Sequence, residues 1–110
     1  MTAKAALVWC PFPDETVART ICDKLLEEKL TACANIFGAI NVMFEWDGAR
    51  NEGVEVPVLF KTNSDTLARL TARLGDLHPY ETPAILGWHC DAGHPSTLAW
   101  LGALGTGASD

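Results

Sequence analysis

The sequence contains no Cys-x-x-Cys pair, no Gly-rich phosphate loop and no run of basic residues, and each absence removes a class of function. Only eight Lys and Arg stand against 14 Asp and Glu, for a formal net charge of −6. A nucleic-acid binder needs a basic face, and an anionic membrane surface attracts clustered Lys and Arg. Neither kind of partner suits scattered cations on an acidic chain. The acidic surface favours cations only diffusely and chiefly aids solubility. No segment reaches the roughly 18 apolar residues of a membrane span. The apolar stretch Ala5 to Trp9 is too short for a secretory leader, and no small-residue cleavage site follows it. A cytoplasmic protein is therefore expected. Cys10, Cys22, Cys33 and Cys90 lie far apart, as free and mostly buried thiols in a reducing compartment would. No nucleophile, base and orienting group stand in a recognisable arrangement, so no enzyme is expected.

What is present is a chain of 110 residues, 48% hydrophobic and 20% charged, which suits one modest core. A single domain is expected over 1–104, with a flexible tail at 105–110. Ala5 to Trp9 predicts a buried first strand, bounded by Pro11 and Pro13. Asp14 is a good N-cap, with Glu15 at the positive end of the helix that follows. Val17, Ala18, Ile21, Cys22, Leu25, Leu26 and Leu30 repeat along one face of that helix, while Asp23, Lys24, Glu27 and Glu28 take the wet face. From Cys33 to Trp46 the pattern becomes β-like, with Val42, Phe44 and Trp46 alternating against Asn41, Met43 and Glu45. A polar connection is predicted from Asp47 to about Gly53, before Val54, Val56, Val58 and Phe60 alternate on a third strand. Pro57 lacks a ladder donor, which predicts an outward-facing N–H position or a bulge. Asn63 or Ser64 is expected to cap a second helix carrying Leu67, Leu70, Leu74 and Leu77. Thr82 to Cys90 is predicted as a fourth strand, and Pro95 opens a short last helix with Leu98, Leu101 and Leu104.

The order βαββαβ plus a terminal helix predicts an α+β, ferredoxin-like fold. Such a two-layer fold leaves one sheet face and two strand edges bare, with Phe44, Trp46, Trp88 and Trp100 in or beside them. Exposed edges invite pairing with another chain, so an oligomer is expected.

Several segments then resemble the CutA divalent-cation tolerance family. Cys10-Pro11-Phe12-Pro13-Asp14-Glu15 is similar to its strand-to-helix turn, and Leu30-Thr31-Ala32-Cys33-Ala34-Asn35-Ile36 to the segment that opens its second strand. Phe44-Glu45-Trp46-Asp47-Gly48, Lys61-Thr62 and Leu98-Ala99-Trp100 follow in the family's order, and His78-Pro79-Tyr80-Glu81-Thr82-Pro83 is the clearest signature. The resemblance implies a homotrimer of ferredoxin-like subunits, shaped like PII signalling proteins, with clefts at the subunit boundaries. Closed strand edges and a shared core in such an assembly predict unusual resistance to heat. The resemblance also implies a part in the response to divalent metal ions, with copper the ion most often proposed. The alternative is a PII-like sensor that binds a small metabolite in those clefts.

The metal site that the resemblance implies draws on a first-strand Cys, here Cys10, and a His near the signature, here His78. A third ligand, a Glu after the final Pro, is replaced by Ala84, and a second His found in some members is replaced by Leu77. Cys10 lies before a helix N-terminus, where a thiolate is stabilised and suits a soft metal; otherwise it is a small buried residue. His78 can ligate a metal through one nitrogen while the other bonds a carbonyl, or it caps the end of the second helix. His89, Cys90, Asp91 and His94 form a second group of ligand types, although strand alternation sends His89 and Cys90 to opposite faces. Trp46, Lys61, Tyr80 and Glu81 are assigned to a polar inter-subunit cleft, with Lys61 and Glu81 able to pair; the other reading is that they fix the trimer interface.

Overall fold

A computed structural model describes residues 3–105 of the chain. The expected tail, from 106 onward, lies outside the described residues. Strand β1 (Ala5–Phe12) leads to helix α1 (Glu15–Glu27), strands β2 (Cys33–Ile36), β3 (Ile40–Trp46) and β4 (Ala49–Asn63), helix α2 (Leu67–Leu77), strand β5 (Leu86–His89) and helix α3 (Pro95–Gly102). The main sheet runs β2-β4-β1-β5, all antiparallel, and β3 pairs with the first half of β4. With β2 and β3 counted as one interrupted strand, this is the ferredoxin-like order.

Local chemistry sets the boundaries. The Asp14 side chain accepts the Val17 N–H at 2.8 Å and starts α1. The helix stops three residues before the apolar period does. Lys29 turns left-handed at φ 59°, and the Leu30 N–H reaches back to the Leu25 carbonyl at 3.0 Å, a Schellman ending. The polar connection predicted over Asp47 to Gly53 is far shorter in the structure. Asp47 and Gly48 both take positive φ (53° and 78°) and form a two-residue hairpin turn, so pairing resumes at once with Trp46 opposite Ala49. Asp-Gly favours that turn because its twist matches the flanking strands.

The second predicted strand breaks at 37–39, and Pro57 supplies the reason. The Phe37 N–H donates to the Pro57 carbonyl at 2.9 Å, but Pro57 has no N–H to return. Pro57 is not bulged: it is buried, and the β1–β4 register runs unbroken past it with Pro11 opposite. The missing donor faces the spot where β2 ends. The fourth strand is also shorter than predicted, since residues 79–85 form no ladder. Helix α2 begins after Thr66, whose side chain makes no cap bond. The expected cap, Asn63, acts earlier: its Oδ1 accepts the Asp65 and Thr66 N–H groups at 3.1 Å each. Its Nδ2 donates to the carbonyls of Leu101 and Leu104, at 2.8 and 3.2 Å, and ties α3 to the end of β4.

Alternation divides the sheet. Val8, Cys10 and Phe12 of β1 and Val56, Val58 and Phe60 of β4 face the helices. They pack with Ile21, Cys22 and Leu25 of α1 and Leu70 and Leu74 of α2. Burying each large side chain contributes about 1.5–3 kcal/mol. The intervening residues form rows on the other face. Trp88, Leu7, Lys61 and Cys33 stand in one row, and Leu86, Trp9, Leu59 and Asn35 in the next. Helix α3 reaches only the Ala5–Asn63 end of this face, and at the other end Leu86 is 68% exposed.

Candidate functional site

The two residues expected at a metal, Cys10 and His78, meet at one atom, the carbonyl oxygen of Pro11. β1 ends by turning that carbonyl away from β4, toward the residue that terminates α2. His78 is that residue, and its own N–H still closes the helix on Leu74 at 2.9 Å. The imidazole Nε2 lies 2.7 Å from the Pro11 oxygen. A carbonyl only accepts, so Nε2 carries the proton. Nδ1 accepts the Tyr80 N–H at 3.2 Å. Both ring nitrogens are thus committed, and the ring bridges β1 to the segment after α2 without capping the helix carbonyls. Phe12 stacks on it at 4.9 Å and 14°, and Tyr80 tilts over it at 4.7 Å.

The Cys10 Sγ sits 3.8 Å from the same Pro11 oxygen and is wholly buried. Burial pushes its thiol up to about 12, and Cys22 and Glu55 nearby push the same way. The helix N-terminus does not overcome the lost solvation, so the group is a thiol. Residues 77 and 84 add no ligand, being Leu and Ala. Among the described residues no three His, Cys, Asp or Glu side chains stand close enough to hold a metal ion. The arrangement within one chain does not fit a resident metal.

The second group of ligand types disperses. The His94 Nδ1 takes the Ser96 N–H at 3.2 Å and caps α3, while Cys90 and Asp91 border a cavity of about 510 Å³ beside Lys4 and Leu98.

Three of the four cleft residues do converge. The β3–β4 hairpin and the segment 80–84 enclose a groove of about 810 Å³, lined by Phe44, Trp46, Glu55, Tyr80, Glu81 and Pro11 among others. Lys61 stays apart. It pairs with Leu7 and Cys33, six residues along β4 from Glu55, or roughly 20 Å at the rise of a strand. It makes no ion pair with Glu81 within the chain. Glu55 is the member that sequence reasoning missed. Its carboxylate lies near the Tyr80 hydroxyl, and desolvation first, then this neighbouring carboxylate, raises the tyrosine pKa above its ordinary 10.0. The available signal was its place on β4, opposite Ile40 and in step with Val42, Phe44 and Trp46.

The CutA1 divalent ion tolerance protein family matches residues 6–103. This chain belongs to that family. It is 38% identical over 100 residues to the CutA homolog of Xenopus laevis, covering 91% of this chain and 65% of that protein. It is 34% identical over 101 residues to the divalent-cation tolerance protein CutA of Yersinia pestis, covering 92% and 85% of the two chains. Among solved structures, the divalent ion tolerance protein CutA1 of Ehrlichia chaffeensis superposes with a TM-score of 0.86 at 30% identity, over 92% of this chain and 94% of that one. CutA of Archaeoglobus fulgidus, described as periplasmic, superposes at 0.83 with 31% identity, over 88% and 94%. The ferredoxin-like fold expected from the element order is thus that of the CutA family. None of these relatives is named as a PII-like sensor, so that alternative draws no support from them. No described helix is long and apolar enough to cross a membrane.

Proposed function

We propose that this chain serves divalent-cation tolerance as a non-enzymatic homotrimer that meets copper or similar ions weakly, without a Cys10–His78 site. The family match over residues 6–103 carries the first part of the reading. The trimer is supported by the open sheet face, where Trp88 is 46% exposed and Leu86, Phe37 and Trp9 lie close by. A bare apolar face of this kind marks an interaction surface. A cytoplasmic location is supported by the four free cysteines. The weakness of metal binding follows from the protonated Cys10 thiol and from the two nitrogens of His78, each already bonded.

Isothermal titration of Cu(II) and Zn(II) into wild type and Cys10→Ala tests the metal part. The expected result is the same weak binding in both proteins. Tight copper binding by wild type that disappears in Cys10→Ala would overturn it.

A further inference from the structure

Lys61 is the one cation in the rows of the open sheet face, half-buried beside Leu7 and Cys33 with Trp88 beyond. No carboxylate among the described residues forms an ion pair with it. A second copy that covers this face takes the ammonium out of water. A buried charge without a partner opposes association, so the covering surface has to bring a carboxylate.

The groove between the β3–β4 hairpin and segment 80–84 has the opposite need. Its lining holds two carboxylates, Glu55 and Glu81, and no Lys, Arg or His. Phe44, Trp46 and Tyr80 line it too and are 47%, 55% and 37% exposed. Such rings suit both the alkyl stem and the ammonium of a lysine. Within one chain the two halves do not meet. Glu55 and Lys61 share a face of β4 by alternation but stand roughly 20 Å apart, against about 4 Å for an ion pair.

Position favours Glu55 over the other carboxylates of the hairpin. Glu45 and Glu52 alternate onto the opposite side, whereas Glu55 lies in step with Val42, Phe44 and Trp46 and is half-buried. The hairpin also has the reach. β4 pairs with β1 only from Val56 onward, so residues 49–55 carry the hairpin roughly 20 Å past the end of β1.

We propose that the groove is half of a site shared between copies of this chain. Lys61 of a neighbouring copy enters it, lays its stem along Trp46 and Tyr80 and pairs with Glu55, with Glu81 at the rim. In a closed ring each copy gives one Lys61 and receives another, so every such charge is answered. This pairing rests on the homotrimer proposed above and adds the charge contact that joins its copies.

Subunit exchange between protein of natural isotope content and protein labelled with heavy nitrogen, followed by native mass spectrometry, tests the pair. Lys61→Met and Glu55→Gln are each expected to speed exchange about tenfold, because each leaves one charge buried alone. The double variant is expected to exchange no faster than the faster single one, since the lone charge is gone. Circular dichroism verifies that each variant folds. A carbodiimide cross-link in the wild type gives a second readout that needs no variant. It joins a lysine amine to a carboxylate as an amide, with loss of water. In mixed trimers, peptides that link Lys61 to Glu55 should carry one light and one heavy half. A wild type that exists as single chains would overturn the assembly and the pair together. In a wild type of three chains, three results would each overturn the pair alone and leave the assembly standing. These are unchanged exchange in both single variants, effects that multiply in the double variant, and absence of the mixed cross-link.

Discussion

The two faces of the central sheet are made from the same strands and meet opposite fates. On β1, Val8, Cys10 and Phe12 are wholly buried under the helices, while Leu7 and Trp9 between them remain partly exposed. On β4, Phe60 lies in the core and its neighbour Lys61 stands among Leu7, Cys33 and Trp88 on the open face. The covered face is complete within one chain: Phe12 meets Phe60 edge to face at 6.4 Å, and no buried side-chain polar atom among the described residues lacks a partner. The open face carries comparable apolar side chains that stay exposed in part, Leu86 at 68% and Trp88 at 46%. The lesson is that one alternating pattern produces two apolar faces, and only one of them is covered within the chain.

The largest effect that separates the faces is expected from Phe60→Ala. It opens a cavity on the covered side and should cost about 3–5 kcal/mol in denaturant unfolding, compared at fixed protein concentration. Trp88→Asp makes the complementary change. It should leave the far-ultraviolet dichroism intact while reducing the assembly to single chains, measured by light scattering. If the variant kept its assembly, the open face would not be the contact.

Two further expectations concern titratable groups, the buried thiols and the one phenol. Burial raises Cys10 from 9.0 to about 12 and Cys22 from 9.0 to about 11. Each folded value lies above its unfolded value, so the stability linked to these thiols is fully present below pH 9. It is lost as pH rises from there through about 12. Denaturant midpoints across that window should fall, and Cys10→Ala should make the fall shallower. An unchanged slope would remove the buried thiol as its cause. A smaller effect is expected at Tyr80, the only tyrosine in the sequence. Ultraviolet titration of the phenol therefore reads this residue alone, and its midpoint should lie above the ordinary 10.0 because of desolvation and the nearby Glu55 carboxylate. Glu55→Gln should bring the midpoint down. A wild-type midpoint at or below 10.0 would place the hydroxyl in open solvent.

Much of the fold was legible because helical and strand periods are local properties. The Asp14 cap, the apolar stripe from Val17 to Leu25 and the alternation from Val54 to Phe60 each appear where the sequence puts them. Boundaries were less legible because they depend on bonds between distant residues. The break after Ile36 arises from Pro57, 21 residues away in sequence. The hairpin's connecting loop was overestimated because polar residues such as Arg50, Asn51 and Glu52 suggested a loop. In an exposed two-stranded arm, polar residues are simply strand residues facing water. The site was legible in part. Trp46, Tyr80 and Glu81 do share a groove, whereas Glu55 and the remoteness of Lys61 depend on strand register. Likewise, sequence named Cys10 and His78 as ligand types but could not reveal that both turn toward the Pro11 carbonyl.

The central claim is that the uncovered face is a contact between copies of this chain, and the molar mass in solution tests it most directly. Light scattering on the purified protein at micromolar concentration should give about three times the 11.9 kDa of one chain. A mass of one chain, unchanged on concentration, would contradict it.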